Sequence, residues 1–564
     1  MFLSVLRIEN FRAIGKATIH FDEGTALIGE NDCGITSVLD ALELALGPQD
    51  GPVHYPSYLF HRKQGSSKAN GPIRLQLRFR ETRRGEWAAD EYLPFSSLLP
   101  RGNDHIRELW YEVFIHPQTG RKSDKGPGAD FRLRSPGSKT KSSEPEQIKL
   151  IRHLNPVIRV SAGMLTGHGR PPSQRVKPRD QETKFTPEIS KLVDRINKAV
   201  ESRLSGKSLD LETDLDDGIS AALSLVKMKT FNLGDWESGL TRSVNEILGW
   251  SPAPKKPLAA PHLQVPNSAP ERLGILLLIG ALLRARPAGL YPGADPLWII
   301  EEPEAHLHPI TLTSVALFVG LIQRQKIVTT YSGDLLSMLP LSHIRRLVRH
   351  NGILFERRVK PNILTRSELR RFHYHLRSRF GITSFARLWL LVEGESEYWL
   401  IPQIARLMGY EFALEGIACV EFAQCGLDPP VKVAKELGIE WHLLADGDKA
   451  GQSYITTAGR YLDSRNSDER LTVLRENDIE HCFWDHGYQE VYVRYARLNG
   501  RQLEKLSPSR VIQAAVRKQS KPFLALSVAD AIAEEGSPGI PELLQNMIHT
   551  CVELARKSPA RLAR

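Results

Sequence analysis

The sequence has few cysteines, no long apolar run and no acidic excess, and each absence excludes a class of protein. The cysteines are scattered and form no CxxC pair: Cys33, Cys419, Cys425, Cys482 and Cys551. A disulfide framework or a zinc site is therefore not expected, and a reducing cytosol suits these thiols. The densest apolar stretch, residues 275–283, is far shorter than a membrane span. With no signal-peptide pattern at the start, the sequence predicts a cytoplasmic protein that does not cross a membrane.

The balance of charge is basic, with a net charge of +10 and a pI near 9.2. An excess of this sign favours polyanionic partners such as DNA. At 564 residues the chain is too long for one core, so two or three domains are expected.

Apolar residues follow strand and helix spacing along much of the chain. A strand is predicted to begin at Leu3 and a helix to cover residues 38–46, and further strands are predicted at residues 17–21, 25–28, 73–79, 297–300, 327–330, 388–392 and 441–445. Strands that alternate with helices predict an α/β fold with a parallel sheet in both halves.

Composition divides the chain into segments. Residues 118–146 and 167–184 are rich in Lys, Arg, Ser, Gly and Pro, which predicts mobile surface loops, and residues 187–250 have a helical pattern. A boundary is predicted near residues 371–384. The predicted domains are residues 1–375, residues 385–530 and a helical C-terminal segment, residues 531–564.

Residues 29–37, Gly-Glu-Asn-Asp-Cys-Gly-Ile-Thr-Ser, lie between a predicted strand and a predicted helix. Two glycines with four residues between them let backbone amides turn towards a nucleotide phosphate at the start of a helix. The candidate nucleotide-binding residues here are Gly29, Asn31, Gly34, Thr36 and Ser37. The lysine that normally precedes the threonine is replaced by Ile35, which supplies no charge. The alternative is a glycine-rich turn without a ligand.

An apolar strand at residues 297–300 ends in Glu301 and Glu302. In a nucleotide site, one of these acids would hold Mg²⁺ and the next would orient the attacking water. A solvated turn is the alternative interpretation.

Together the loop and the acidic strand resemble ABC-type ATPases of the RecF and SMC kind. Two further motifs of that family have diverged. Residues 267–272 lack the glycines of its Ser-Gly-Gly signature, and Tyr331 occupies the position of its switch histidine. The resemblance therefore implies weak or absent ATP turnover, while ATP binding with Mg²⁺ remains an expectation.

A second acidic pattern lies in the C-terminal half. Glu393 follows a predicted strand, and about fifty residues later another strand ends in Asp-x-Asp-x-x-Gly, with Asp446 and Asp448 as the acids. The carboxyl ends of parallel strands share one edge of a sheet, so these acids are expected to converge there with Glu397, one helical turn after Glu393. Oxygen ligands suit Mg²⁺ or Mn²⁺, and two such ions can cleave a phosphodiester. Two unrelated surface turns are the alternative.

This is the Toprim pattern. A Toprim domain behind an ABC-type ATPase resembles the OLD (overcoming lysogenization defect) endonucleases over nearly the whole chain, and especially a bacterial subgroup with its own uncharacterised-domain label that shares residues 421–424 and 438–441. The resemblance implies a further acidic metal ligand, for which Glu490 is the first candidate and Asp485 the second. It also implies a late lysine, Lys521, whose charge would stabilise the pentavalent phosphate.

The fold class expected from this resemblance is an α/β chain with two parts. An ABC-type P-loop ATPase-like domain with a helical insertion is followed by a Rossmann-like Toprim domain with a parallel sheet. The expected catalytic residues are Glu393, Asp446, Asp448 and Lys521, and the expected metal ligands are Glu393, Glu397, Asp446, Asp448 and Glu490.

The predicted function is metal-dependent cleavage of DNA, gated by a degenerate ATPase domain, in phage defence or DNA repair. The resemblance implies a homodimer with its contact near residues 187–250, and the identity of any partner protein stays open. The alternative is a nucleotide-responsive DNA-binding or scaffold protein without cleavage. A topoisomerase or a primase is opposed by the absence of sequence room for a DNA-gate domain and by the low cysteine count.

Overall fold

The computed structural model divides the chain into two units, Met1–Arg358 and Val359–Arg564. The sequence pattern predicted a boundary near residues 371–384. The division between the two units lies upstream of that range. Helix α4 (Arg366–Thr383) belongs to the second unit, in which Glu368 accepts a hydrogen bond of 2.6 Å from Lys432. The structure describes residues 1–47, 55–62, 70–99, 106–117, 129–135, 144–161, 294–305, 312, 316, 319, 325–462, 467–498 and 505–562.

The first unit contains one sheet with the order β6-β5-β4-β1-β2-β11-β10-β3-β9-β8-β7. Its strands are β1 (Phe2–Phe11), β2 (Ile14–His20), β3 (Gly24–Gly29), β4 (Ile73–Arg80), β5 (Glu108–Ile115), β6 (Ala129–Arg134), β7 (Val157–Ser161), β8 (Leu297–Glu301), β9 (Lys326–Thr329), β10 (Ile344–His350) and β11 (Ile353–Arg358).

This sheet is mixed, so the prediction of a parallel sheet was wrong for the first half of the chain. Strands β3, β7, β8, β9 and β10 pair in parallel, whereas β1, β2, β4, β5 and β6 form an antiparallel group. Short turns are the physical reason. Only Asn351 and Gly352, both with positive φ, separate β10 from β11, and a two-residue turn can join only antiparallel strands.

Among the described residues of the first unit, helices α1 (Ile35–Leu46) and α2 (Pro145–Leu154) pack on this sheet. A short helix α3 (Gly333–Ser337) and 3-10 turns at Ser57–Leu59, Glu86–Ala88, Asp90–Phe95 and Leu341–His343 are also described. Apolar residues of α1 such as Val38 and Leu42 are fully buried, because they recur at helical spacing on the face towards the sheet.

The prediction of a mobile loop over residues 118–146 was wrong where the structure describes this range. Strand β6 pairs with β5, and α2 begins at Pro145. Leu133 is fully buried because it faces the core from the last part of β6. The predicted loop at residues 167–184, the helical segment at residues 187–250 and the signature region at residues 267–272 lie outside the described residues.

The second unit contains a parallel sheet with the order β13-β12-β14-β15. Its strands are β12 (Leu388–Val392), β13 (Ile417–Glu421), β14 (Glu440–Ala445) and β15 (Leu471–Val473). After α4, its helices are α5 (Glu395–Leu407), α6 (Phe412–Glu415), α7 (Asp428–Leu437), α8 (Lys449–Gly459), α9 (Ser467–Arg470), α10 (Ile479–Phe483), α11 (Gln489–Ala496), α12 (Pro508–Lys518), α13 (Lys521–Ala533) and α14 (Glu542–Leu562), with a π-helical turn at Trp484–Tyr488.

Each predicted strand is present, and the parallel sheet predicted for the second half is confirmed. Strands β12 and β14 are buried on both faces, as their continuous apolar runs indicate. Within the described part of the chain, no helix combines the length and the apolar character that a membrane crossing requires.

Candidate functional site

The ends of three neighbouring parallel strands bring acidic residues to one edge of the second sheet. Glu393 follows β12, Asp446 follows β14, and Asp478 lies five residues after β15. Because these strands run in the same direction, their carboxyl ends meet at that edge, which is where sites form in α/β folds.

The spacing of the Asp-x-Asp-x-x-Gly motif has a steric cause. A Cβ atom on Gly451 would lie 1.9 Å from the carbonyl oxygen of Asp446, and one on Gly447 would lie 2.3 Å from the carbonyl oxygen of Glu476. Only glycine lets α8 begin this close to the end of β14. Asp448 caps that helix by accepting a hydrogen bond of 2.8 Å from the Gly451 amide.

Asp446 lies among like charges. Burial raises the pKa of its carboxyl group to about 8, and the nearby carboxylates of Glu397, Glu393, Asp478 and Glu480 act in the same direction. A carboxylic acid that holds its proton near neutral pH indicates a site with more negative charge than its own cations offset.

Glu397 is the most buried acid of the group, with 4% of its surface exposed. Burial and the charge of Glu480 raise its pKa to about 7. One of its oxygens accepts a hydrogen bond of 3.2 Å from the Gly394 amide at the start of α5. Glu480 is itself buried and accepts a hydrogen bond of 2.6 Å from the Ser396 hydroxyl group.

Glu393 lies near both an acid of this group and a lysine. Burial and the charge of Asp448 raise the pKa of Glu393, and the charge of Lys521 opposes this shift. Lys521 is the first residue of α13, after the helix cap at Ser520, and its side chain is exposed. The structure therefore brings five of the predicted site residues together: Glu393, Glu397, Asp446, Asp448 and Lys521.

Two further acids of this cluster were missed by sequence reasoning. Asp478 and Glu480 act on Asp446, whereas Glu490 and Asp485 are exposed and do not figure among the charges that raise the pKa of Asp446 or Glu397. The missed signal was a third strand end followed by acids. With three residues, β15 is too short to show a strand pattern.

The donor chemistry of this acidic cluster suits a divalent cation. Its ligands are carboxylate oxygens, and the buried Oε2 atom of Glu393 finds no hydrogen-bond partner among the described residues. Within the described ranges, no group of three or more His, Cys, Asp or Glu side chains lies close enough together to hold a metal ion as it stands. A bound ion would therefore have to draw these carboxylates closer.

In the first unit, the predicted phosphate loop connects β3 to α1. Asp32 and Gly34 have φ values of 64° and 114°, so the loop turns through left-handed backbone before the helix begins. A Cβ atom on Gly29 would lie 2.6 Å from the Sγ atom of Cys33. Ile35 is 7% exposed and packs in the apolar core. Asn31 and Thr36 are exposed.

Both carboxylate oxygens of Glu301 are occupied by an arginine that the sequence did not single out. Arg159, on β7, donates to Glu301 from Nε and Nη2, each at 3.0 Å. Its Nη1 donates to Asp40 at 2.6 Å and to Glu43 at 3.2 Å, both on α1. Mg²⁺ binding by Glu301, directly or through water, stays a prediction.

The switch position lies close to the phosphate loop. Burial raises the pKa of the Tyr331 hydroxyl group, and the nearby charges of Cys33, Glu302 and Asp32 add to this effect. Glu302 has a φ of 47° and therefore departs from the strand direction directly after β8. Tyr331 thus lies near these acids, and its hydroxyl group is neutral.

Comparison with known proteins identifies both parts of the chain. Residues 1–381 match the model of a family described as a protein of unknown function (DUF2813), and residues 385–448 match that of the Overcoming lysogenization defect protein-like TOPRIM domain. Uncharacterized protein YbjD of Escherichia coli (strain K12) is 31% identical over 578 residues, which cover 99% of each chain.

Two solved structures have lower similarity to this chain. The C-terminal region of the Burkholderia pseudomallei OLD protein has 16% identity and a TM-score of 0.27, and covers 30% of this chain and 99% of its own. The SMC head domain from Thermotoga maritima has 13% identity and a TM-score of 0.31, and covers 64% of this chain and 100% of its own.

The family matches confirm the predicted resemblance, and the large mixed sheet followed by a parallel Toprim sheet confirms the predicted α/β fold class. The acidic residues Glu393, Asp446 and Asp448 all lie within the segment that matches the Toprim model. The chain therefore belongs to the DUF2813 family and carries an OLD-like, nuclease-type Toprim domain.

Proposed function

We propose that this protein is a metal-dependent endonuclease that cleaves DNA in its Toprim domain. The observation that carries the proposal is the convergence of buried and partly buried carboxylates and one lysine at the carboxyl edge of the parallel sheet. Acidic residues with a structural role are normally paired with cations. The carboxylates of this cluster instead raise one another's pKa values, which is typical of a site that binds a positively charged ligand.

In the proposed site, Glu393, Glu397, Asp446 and Glu480 hold Mg²⁺ or Mn²⁺, and two ions fit the number of acids. When bound, such ions supply a water of lowered pKa and offset charge on the leaving oxygen. Lys521 lies next to Glu393 and would donate to the scissile phosphate, where its charge stabilises the transition state. Asp448 orients the start of α8 and contributes its second oxygen to the site.

For the first unit we propose a regulatory role with weak or absent ATP turnover. Ile35 removes the phosphate-binding cation, and Arg159 already neutralises Glu301. ATP and Mg²⁺ would bind through the backbone of residues 29–37 and gate cleavage. We further propose that the protein acts as a cytoplasmic homodimer in phage defence or DNA repair.

The test is cleavage of a supercoiled plasmid in Mg²⁺ and in Mn²⁺, with ATP, a non-hydrolysable analogue or no nucleotide. The variants are Asp446→Asn and Lys521→Ala, and Lys505→Ala, which removes another exposed lysine of the same unit, is the matched control. We expect the wild type and Lys505→Ala to nick or linearise the plasmid and the other two variants to lose this activity.

The same experiment separates the alternative function. If the wild type binds the plasmid but cleaves it under no combination of metal and nucleotide, the protein is a DNA-binding or scaffold protein and the nuclease proposal is wrong. Cleavage that is equal with and without nucleotide would overturn the gating role alone.

A further inference from the structure

One face of the antiparallel group of strands in the first unit is covered by arginines. Alternate residues of β1, β4, β5 and β6 point into the core, where Leu75, Leu77 and Val113 are fully buried. The residues between them point outwards. The outward arginines are Arg7 on β1, Arg74, Arg78 and Arg80 on β4, and Arg132 and Arg134 on β6, and we call this surface the arginine face.

Strand register makes the arginine face continuous. Trp110 on β5 lies opposite Arg78 on one side and Arg134 on the other. Phe114, further along β5, lies opposite Arg74. The side chains of neighbouring strands at these positions are close enough to contact one another, so the arginines form one surface rather than isolated charges.

Aromatic rings hold most of these guanidinium groups in place. Arg7 and Arg134 lie over Trp110, with 5.4 and 4.4 Å from the guanidinium carbon to the ring centroid. Arg74 and Arg132 lie over Phe114 at 5.4 and 5.0 Å. Stacking restricts the side chain in advance, so binding costs less entropy, and it leaves the N–H edge of a guanidinium without another acceptor able to bind a phosphate.

Acidic residues also lie on this surface. Glu108 on β5 accepts a hydrogen bond of 3.0 Å from Arg78, Asp130 on β6 is exposed, and a third acid lies beneath the arginines. Glu112 is 4% exposed and accepts hydrogen bonds of 3.2 Å from Arg74 and 3.1 Å from Arg134. Arg7, Arg80 and Arg132 are exposed. Arg80 lies over the Phe2 ring at 5.1 Å. The buried acid orients its arginines, while the exposed ones present positive charge outwards.

We propose that the arginine face binds the phosphate backbone of duplex DNA, an inference that rests on the proposed action of the protein on DNA. Guanidinium edges match phosphate oxygens in geometry and charge. Trp110 and Phe114 are capped by arginines and are therefore not available to stack on unpaired bases, which favours the duplex over single strands. Contacts of this kind carry no base specificity.

The experiment measures the binding of the full chain to a fluorescein-labelled DNA duplex by anisotropy, in EDTA so that cleavage does not occur, over a series of KCl concentrations. The test variant is Arg7→Gln/Arg80→Gln/Arg132→Gln. The matched control, Arg406→Gln/Arg556→Gln/Lys557→Gln, removes the same number of exposed cations from the second unit.

We expect the test variant to weaken binding roughly eightfold at about 0.1 M KCl for each phosphate that an arginine no longer neutralises. The slope of log K against log[KCl] should become shallower by about 0.9 for each such phosphate. The control variant should bind as the wild type does. Unchanged affinity and slope in the test variant, or an equal weakening in the control, would overturn the proposal and point to another occupant such as an acidic protein.

The variant Arg80→Gln/Arg132→Gln guards against misfolding, because it changes only two exposed arginines that stack on rings. Its thermal midpoint should equal that of the wild type, and its salt slope should fall by about 1.8. The binding proposal and the nuclease proposal can be overturned independently of each other. Plasmid binding that depends on the arginine face, without cleavage, would sink the nuclease proposal and leave this inference intact.

Discussion

Gly451 determines how closely α8 approaches Asp446, because a methyl group at this position would overlap the Asp446 carbonyl oxygen. We predict that Gly451→Ala lowers the free energy of unfolding by about 1–3 kcal/mol, since the helix start or the strand end must shift. Metal-dependent cleavage should fall as well, because Asp446 moves with its backbone. Urea unfolding monitored by circular dichroism measures the first effect.

The control for this substitution is Gly459→Ala at the other end of α8. No atom lies within 4 Å of a Cβ atom built there, so this variant should be as stable as the wild type or slightly more stable. Equal stability of both variants would contradict the steric account.

A comparison of two single residues tests which acid is the additional metal ligand. Glu480 is buried beside Glu397 and Asp446, whereas Glu490 is exposed. We predict that Glu480→Gln reduces plasmid cleavage by about 10–100-fold, and that Glu490→Gln leaves it near the wild-type rate. The initial rates of plasmid nicking by the two variants in Mg²⁺ measure this difference. The reverse order would restore Glu490 as the ligand and assign Glu480 a structural role.

At the level of elements, Arg159 joins three parts of the first unit. Its guanidinium connects β7 to the end of β8 and to α1, and its side chain is 6% exposed. We predict that Arg159→Gln lowers the free energy of unfolding by about 3 kcal/mol, because Glu301 and Glu43 would remain as partly buried negative charges without this cation, while Asp40 keeps its ion pair with Arg12. Thermal or urea unfolding of the variant measures this effect.

Arg406→Gln is the control for Arg159, since its ion pair with Glu411 is exposed and solvent already screens it. Stability should change little in that variant. An equally small change in Arg159→Gln would show that the buried network contributes nothing beyond a surface ion pair.

The acidic residues at the strand ends of the second unit make its free energy of unfolding depend on pH. The pKa of Asp446 is about 8 and that of Glu397 about 7 in the folded protein, whereas both groups titrate near pH 4 when unfolded. The folded state therefore holds protons that the unfolded chain has released. This contribution to stability is complete below about pH 4 and is lost as the pH rises through about 7 to 8.

We predict that metal-free protein in EDTA becomes less stable from about pH 5 to about pH 8.5, and that Asp446→Asn flattens much of this decline. Urea midpoints at intervals across this range measure the effect. Saturating Mg²⁺ should offset the decline, because cations bind the deprotonated carboxylates. Equal slopes for the wild type and Asp446→Asn would contradict the raised pKa.

At the level of the whole molecule, each unit has an apolar core of its own. One core draws on the large mixed sheet and α1, and the other on the parallel sheet, α5, α6 and helices α10 to α14. Units with separate cores need not unfold together. We predict that calorimetry resolves two transitions, of which Arg159→Gln lowers one and Gly451→Ala lowers the other. A single transition shifted equally by both variants would show one cooperative unit.

Local patterns in the sequence determined eight of the strands, the helix after the phosphate loop, and the acids Glu393, Asp446 and Asp448, because alternation, glycine spacing and strand-end acids are encoded by neighbouring residues. Family resemblance supplied Lys521, which no local pattern marks. Only tertiary structure could show that Arg159 occupies Glu301, that Asp478 and Glu480 lie in the acidic cluster, and that arginines from three strands form one face. Each of these depends on strand order and register between residues far apart in sequence, which periodicity does not specify.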